Sequence, residues 1–427
     1  MNNTEKQQVK NKAISDAIKR TKEKRQSQYC KVFKFKVHKD SLTKQQKEHL
    51  KMLFNEAKWV YNYLLAQMKD ENYHLDCYTY KELKSITKFD KDKNVVPINI
   101  THLGTSMMQS IIDQIKISLK SLKALKSAGY NIGALRFKSE YNCIPLKQYN
   151  NTHKIEGSKI KIQGLKSPIR VRGLKQLSKF EDLEYANANL LFDGIDYYIA
   201  LTTYIDRDKV PTHKPTNKEI GIDFGCINAL TLSDSTKIDI SIRESERLKR
   251  LQRKLERQVK GSNNRNKTKL AIRKEYNHIN NKKNDIANKV VHKLLTDFDL
   301  IVAQDDQLNE WKNSDYKNEK IQHSIIGRIK SRLKRSPRVV FLDQWFPTSK
   351  QCIKCGHKVD SLEVQDRTFK CPNCGLEADR DVHAATNMLY YYNTIKDTLG
   401  TSDTSKPVSI SYRAFKALMA KQEDTTI

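Results

Sequence analysis

Long apolar runs are missing from this 427-residue sequence; nothing in it approaches the ~20 residues that cross a bilayer. The opening residues, MNNTEKQQVKNK, lack the apolar centre of a secretory signal, so neither a membrane span nor export is expected. Glycine (14) and proline (9) are scarce, which excludes a low-complexity chain, and no internal repeat is found. Acidic residues are also short, 49 against 79 Lys and Arg, leaving a formal charge of +30. Such an excess exceeds what solubility requires and calls for a polyanion; without a membrane, that polyanion is nucleic acid. Four cysteines, Cys30, Cys77, Cys143 and Cys226, are scattered and suit a reducing cytosol better than a disulfide framework. The length accommodates two to four domains.

The other four cysteines are clustered. Cys352 and Cys355 form one CxxC pair, Cys371 and Cys374 a second, with fifteen residues between the pairs. Each pair can present two thiolates from one tight turn, and two such turns complete a tetrahedral Zn²⁺ site. Gly356 and Gly375 follow where the chain must turn around the ion. With four protein ligands there is no open position, so this zinc is expected to be structural.

Along the chain, residues 1–27 carry eight basic and three acidic residues and read as a mobile basic arm or a marginal helix. From Lys31 to His38 a period of two predicts a strand with a basic face carrying Lys34 and Lys36. Thr43 and Gln46 form a capping box ahead of a helical stripe from Leu50 to Leu64, and a second stripe runs from Met108 to Leu122. Strand-like segments are expected again near Leu135, with Lys159, Lys161, Arg170 and Arg172 alternating with apolar residues, and then over Tyr197–Thr203. Strands, a helical insert and more strands suggest a β-barrel-like domain interrupted by helices. Its basic faces would suit a phosphate backbone. A helical hairpin follows, with apolar positions at Leu248, Leu251, Leu255 and Val259 and then from Ile272 to Leu294.

Three acidic points stand beside apolar runs that read as buried elements. Asp223 follows the apolar run in EIGIDFG, Asp305 and Asp306 end LIVAQDD, and Asp379 and Asp381 precede a helix in ADRDVHAATNM. Carboxylates from separate elements can converge on two Mg²⁺ ions about 3.5–4 Å apart and hydrolyse a phosphodiester. That chemistry needs hard oxygen ligands, hence Asp in place of His or Cys.

GIDFG, RKLERQVKGSNNRNKTKLAIRK, FPTSKQCIKCG, CPNCG and DRDVHAATNM resemble the transposon-encoded TnpB nucleases and their descendants, the miniature type V-F CRISPR effectors. LRFKS, which contains Arg136 and Lys138, and YYIALTTYI are similar to barrel-domain landmarks of that family. The resemblance implies an α+β multidomain chain: a wedge-type β-barrel with a helical recognition insert, then an RNase H-like RuvC nuclease domain interrupted by a zinc ribbon. On this sequence the parts fall as a basic arm (1–27), the barrel (28–40 and 134–210) and the recognition insert (41–133). Next come the nuclease domain (217–350, with its helical hairpin at 243–296), the zinc ribbon (351–378), the last part of the nuclease (379–396) and a tail (397–427). Lys34, Lys36, Arg136, Lys138, Lys159, Lys161, Arg170 and Arg172 would contact nucleic acid.

The implied activity is RNA-guided cleavage of double-stranded DNA beside a short T-rich motif, with structural Zn²⁺, catalytic Mg²⁺ and a guide RNA as cofactors. Asp223 and Asp381 match two catalytic aspartates, although His383 stands where the family usually has Asn. The middle acid, normally Glu, is less direct. The simplest alignment puts Gln304 there, whereas a Gln-Asp-Glu subset of the family puts Asp306 there. Both lie on one side of an extended strand. Asp306 is the expected ligand because Gln is neutral and binds Mg²⁺ weakly, and Asp305 is held in reserve. Alternatives are a guide-loaded DNA-binding protein with a feeble nuclease, and a transposase acting without RNA. A monomer or a homodimer in a prokaryotic cytosol, associated with the nucleoid, is expected, with Met107–Ile115 read either as a candidate dimer surface or simply as core.

Overall fold

The computed structural model describes residues 3–68, 81–89, 94–210, 213–225, 228–308, 323–362, 366–396 and 408–417, so Cys77 and Cys226 lie outside the described residues. Contacts divide the chain into two units, residues 1–212 and 213–427. No helix among the described residues is long and apolar enough to cross a membrane.

The first unit begins with α1 (Asn3–Gln26). The basic segment is therefore a helix, exposed from residue 7 to residue 24. Lys24 and Arg25, at its C-terminal end, pair with Glu184, and Arg25 lies 3.7 Å over the ring of Tyr204. Strands β1 (Gln28–Val37), β4 (Cys143–Leu146), β5 (His153–Glu156), β6 (Lys159–Ile162), β7 (Ile169–Arg172), β8 (Glu184–Phe192) and β9 (Tyr197–Asp206) form one sheet. Its order is β4-β8-β9-β1-β7-β6-β5, a nearly closed barrel. The period of two in β1 places Phe33, Phe35 and Val37 inside and leaves Lys34 outside.

Between β1 and β4 lie α2 (Lys44–Gln67), the hairpin β2 (Ser85–Phe89) and β3 (Val95–Asn99), and α3 (Thr105–Ser127). The capping box at α2 is complete: Gln46 N donates to Thr43 Oγ1 (3.2 Å), and Thr43 N donates to Gln46 Oε1 (2.9 Å). Buried Glu56 of α2 accepts from the backbone N–H groups of His102 (2.9 Å) and Leu103 (2.8 Å), fixing the entry to α3. The helical insert also contains the β2–β3 hairpin, five residues a side, which the residue pattern does not signal. The segment at Leu135 is not a strand; the first strand after α3 starts at Cys143. Met107, Met108, Ile111, Ile112 and Ile115 are core residues packed against α2 and the sheet, so they offer no dimer surface.

The second unit is built on a six-stranded sheet of β10 (Glu219–Asp223), β11 (Leu230–Leu232), β12 (Lys237–Ile238), β13 (Leu300–Gln304), β14 (Val339–Leu342) and β17 (Val408–Ile410). The order is β12-β11-β10-β13-β14-β17, and the last four strands run parallel. Parallel strands covered on both faces must be apolar throughout, which is why EIGI, LIVA and VVFL show no alternation. Ile301, Ala303, Val339 and Phe341 face α5 (Asn263–Asp297) and α6 (Ile326–Leu333). Val302, Val340 and Leu342 face α7 (Arg380–Ile395). The helical hairpin is α4 (Glu246–Glu256) with α5, and Val259 lies beyond α4 and is 77% exposed rather than part of its stripe. Residues 408–410, expected in a tail, pair with β14 as the edge strand.

Gly221 sets how closely α7 approaches the sheet. A Cβ there would lie 1.9 Å from the carbonyl oxygen of Ala385. Because the obstacle is backbone, the helix itself would have to move. Gly221→Ala should therefore destabilise the second unit by about 1–3 kcal/mol or more, through overpacking. Denaturant unfolding against Gly133→Ala, where a Cβ meets nothing within 4 Å, checks this; equal midpoints would contradict it.

Candidate functional site

The parallel pairing of β10 and β13 sets Ile222 beside Ala303, so both strands end at one edge of the sheet. Asp223 is the last residue of β10, and Asp305 and Asp306 follow β13 directly. On the α7 side, Asp379 caps the helix, accepting from Asp381 N and Val382 N (3.1 Å each), and pairs with Lys237 at 2.6 Å. Asp381 falls in the first helical turn, where the aligned backbone dipoles favour negative charge. The carboxyl edge of parallel strands is where α/β sheets bind ligands.

The electrostatics record the convergence. Burial first, then the charges of Asp381 and Asp306, hold the Asp223 carboxyl well above the usual range, with Arg380 opposing. Asp306 is pushed up to about 6, mainly by burial and further by Asp305, against the pull of Lys330. Asp223, Asp306 and Asp381 thus share one field. Among the described residues, the carboxylates do not gather three oxygens within 4.8 Å as a single-ion cage would.

Gln304 and Asp305 are placed elsewhere. Gln304 is buried, and its amide donates to the carbonyls of Asp343 (3.1 Å) and Phe346 (3.0 Å) while its oxygen accepts from Thr348 Oγ1 (2.8 Å). Both its amide hydrogens and one lone pair of its oxygen are engaged in closing the 343–348 loop. Asp305 pairs with Lys330 at 2.8 Å and Lys334 at 2.6 Å; burial would raise its pKa, but these bonds hold it below the ordinary carboxylate value. Lys330, on α6, is itself buried and also donates to the backbone carbonyl of Asp306. One ammonium thereby ties down both residues of the turn, and the charge of Asp306 is felt at Asp223. Sequence reasoning missed Lys330, because GRIKSRLKR reads as a solvated basic run.

In the ribbon, the four sulfurs lie within 4.8 Å of one another, with Cys352–Cys374 and Cys355–Cys371 at 3.5 Å. Tetrahedral coordination at a Zn–S distance of about 2.3 Å separates sulfurs by about 3.8 Å, so the donor set fits Zn²⁺. The two knuckles repeat one geometry. Gly356 N donates to Cys352 O (2.9 Å) and Gly375 N to Cys371 O (3.0 Å), with φ of +73° and +69° at the glycines. Strands β15 (Thr368–Lys370) and β16 (Glu377–Asp379) complete the ribbon, and β16 runs straight into α7. Buried Phe369 stacks on His383 at 4.1 Å between ring centroids, 14° from parallel. His383 Nε2 lies 2.8 Å from the Gln351 carbonyl. The residue that departs from the family pattern thus joins helix to ribbon.

Of the residues expected on nucleic acid, Lys34, Arg136, Lys138, Lys159, Arg170 and Arg172 are exposed in the first unit, whereas Lys36 and Lys161 are half-buried. Lys36 pairs with Asp196 at 2.5 Å, and Lys161 donates to the Lys166 carbonyl at 2.7 Å, so these two are partly committed within the fold. Arg170 sits opposite Lys159, and Arg172 opposite Lys36, which places like charges side by side on adjacent strands.

Two outcomes follow. In metal-free protein, a carboxyl raised from 3.8 to about 6 contributes stability below its unfolded pKa and loses it as pH rises through the folded one. Asp306→Asn removes that loss, so its stability relative to wild type should grow between pH 4 and 7 by about 3 kcal/mol, at 1.36 kcal/mol per pKa unit. A gap that stays constant with pH would refute the burial of this charge. Second, Cys352→Ser with Cys371→Ser should abolish zinc content and destabilise the ribbon, measured by metal analysis and limited proteolysis. Retention of one zinc per chain would exclude these ligands.

Two family models match in succession: OrfB_IS605, probable transposase, over residues 202–309, and Cas12f1-like, TNB domain, over residues 325–388. A Streptomyces pristinaespiralis protein named as a candidate RNA-guided DNA endonuclease is 29% identical over 190 residues, 43% of this chain and 47% of that protein. Escherichia coli (strain K12) InsQ, named in the same way, is 30% identical over 220 residues, 45% of this chain and 53% of that protein. The matched region spans about half the length of these curated relatives. Among solved structures, a cryo-EM complex of Cas12f1 with sgRNA and target DNA overlaps 85% of this chain and 99% of that one, with TM-score 0.44 and 12% identity. Over residues 202–309 and 325–388 the chain is thus similar to the OrfB_IS605 and Cas12f1-like proteins.

Proposed function

We propose that this protein is an RNA-guided endonuclease that cuts double-stranded DNA beside a short T-rich motif by two-metal phosphodiester hydrolysis. The observation that carries the reading is the convergence of Asp223, Asp306 and Asp381 at the carboxyl edge of a parallel sheet. In this reading the second unit is a RuvC-type nuclease domain with the ribbon as its nucleic-acid-binding insert, and the first unit is a wedge barrel with a helical recognition insert. The names of the curated relatives support the same activity.

Asp223, Asp306 and Asp381 fit Mg²⁺: the donors are hard oxygens, and their mutual repulsion and burial leave a negative site that a cation would relieve. Bound there, Mg²⁺ would acidify a water and stabilise the leaving oxygen of a phosphodiester. Within the chain, Lys330 holds the Asp305–Asp306 turn, Asp379 caps the helix that presents Asp381, and Gly221 lets that helix approach Asp223. Basic residues on the first unit's strands would hold guide and target backbones, with an affinity that falls steeply with salt. Base pairing with the guide would select the target sequence. The chain would work in a prokaryotic cytosol, as a monomer or homodimer.

Purified protein, guide RNA, Mg²⁺ and a matched plasmid provide the test. Cleavage should require all four and should disappear after RNase treatment; cutting that survives RNase would favour a transposase-like activity instead. Asp223→Ala and Asp381→Ala should each abolish cleavage while guided binding, followed by gel shift, stays close to wild type. Near-normal cutting by either variant would remove the two-metal assignment.

A further inference from the structure

The first unit contains a cavity of about 480 Å³ between α2, the β2–β3 hairpin and the irregular segment 137–139. We propose that it binds one unstacked nucleotide of a nucleic-acid strand, with the base among aromatic side chains and the phosphate on lysines. The idea rests on the nucleic-acid partnership proposed above and not on cleavage.

The walls are aromatic and apolar: Trp59 from α2, Phe89 and Val95 from the hairpin, and Phe137. Phe89 is 69% exposed, Val95 61% and Phe137 53%. Large apolar side chains left open around one cavity mark a binding site more often than a bare surface does. The volume lies in the usual range for ligand pockets, roughly 300–1,000 Å³.

Charge decides the kind of occupant. Lys58, Lys88 and Lys138 line the cavity, and among the described residues no acidic side chain lines it. A hydrophobic peptide side chain would gain nothing from three ammonium groups, whereas a nucleotide supplies both a π-face and an anion. The lysines are also held in place. Lys88 Nζ stands 4.2 Å over the Trp59 ring, and Lys138 Nζ lies 4.1 Å from Tyr61 and 4.4 Å from Tyr141. The Asn62 side chain bonds the Lys138 backbone at both N–H (2.8 Å) and carbonyl (2.9 Å), so the Phe137 wall is fixed although it lacks regular structure. Little ordering would be needed when a base enters. The basic cleft on α4, with Arg250, Arg253, Lys254 and Arg257, has no aromatic wall and could hold phosphate alone.

The test uses the full chain without guide or Mg²⁺, and an oligothymidylate carrying one 5-bromouracil. Ultraviolet crosslinks mapped by mass spectrometry should fall on Trp59, Phe89 or Phe137. Phe137→Ala should remove them and weaken oligonucleotide binding about tenfold, the scale of one lost base–aromatic stack. Lys88→Gln should weaken binding and reduce the salt slope by about one. Phe137 is exposed and Lys88 half-buried, and neither belongs to the core, so the melting temperature should stay unchanged and report that folding is intact. Crosslinks confined to other regions, or wild-type affinity in Phe137→Ala, would overturn the proposal. Because no cutting is measured, loss of the nuclease reading would leave these results unaffected.

Discussion

Carboxylates that repel one another stay together only when the scaffold beneath them cannot yield. Asp223 and Asp306 are both held in less ionised states than free aspartate, so their proximity is imposed and costs stability in the absence of a cation. The imposing element is the β10–β13 pair, which is buried on both faces and locked in a four-residue parallel register. Onto that pair α7 is seated through a contact that leaves no room for a methyl group at Gly221. Asp223 ends a core strand, Asp381 opens the helix seated on that strand, and Asp306 lies in the turn that directly follows a core strand.

The Asp305–Asp306 pair shows how adjacent residues of the same type acquire opposite properties. Two lysines neutralise Asp305, which therefore ionises readily and serves as an anchor. Asp306 receives little compensation for its burial and keeps a proton to higher pH. Lys330 produces both effects at once, spending its charge on one residue and a hydrogen bond on the backbone of the next. This division also accounts for Gln304, whose amide fills a structural role where a charged side chain would have been left buried without a partner.

Much of this arrangement was legible from residue order. The cysteine spacing gave the metal cluster, since two short knuckles leave few other geometries. The continuous apolar runs before Asp223 and Asp305 gave the sheet edge, because only doubly covered strands tolerate them. The Thr43–Gln46 cap was readable because its bonds are local. What remained hidden depends on distant partners. The β2–β3 hairpin consists of short segments beside helical neighbours, where period carries little information. Residues 408–410 become a strand only because β14 offers an open edge. Gln304 and Asp306 could not be separated by strand alternation, since the strand ends at Gln304 and the decisive contacts come from residues 330, 343, 346 and 348.

The passage from β16 into α7 without an intervening loop has a consequence for how such chains can be recombined. A ribbon that ends in the N-cap of a helix, and whose inner phenylalanine lies flat on a histidine of that helix, is not an interchangeable part. Transplanting a relative's ribbon with a boundary at residue 379 would import one half of the Phe369–His383 stack without the other. A graft that respects the packing must extend through His383, and so must carry Asp381 with it. The unit of exchange in this half of the protein is therefore ribbon plus first helical turn, and its cysteine cluster and its acidic residue travel together.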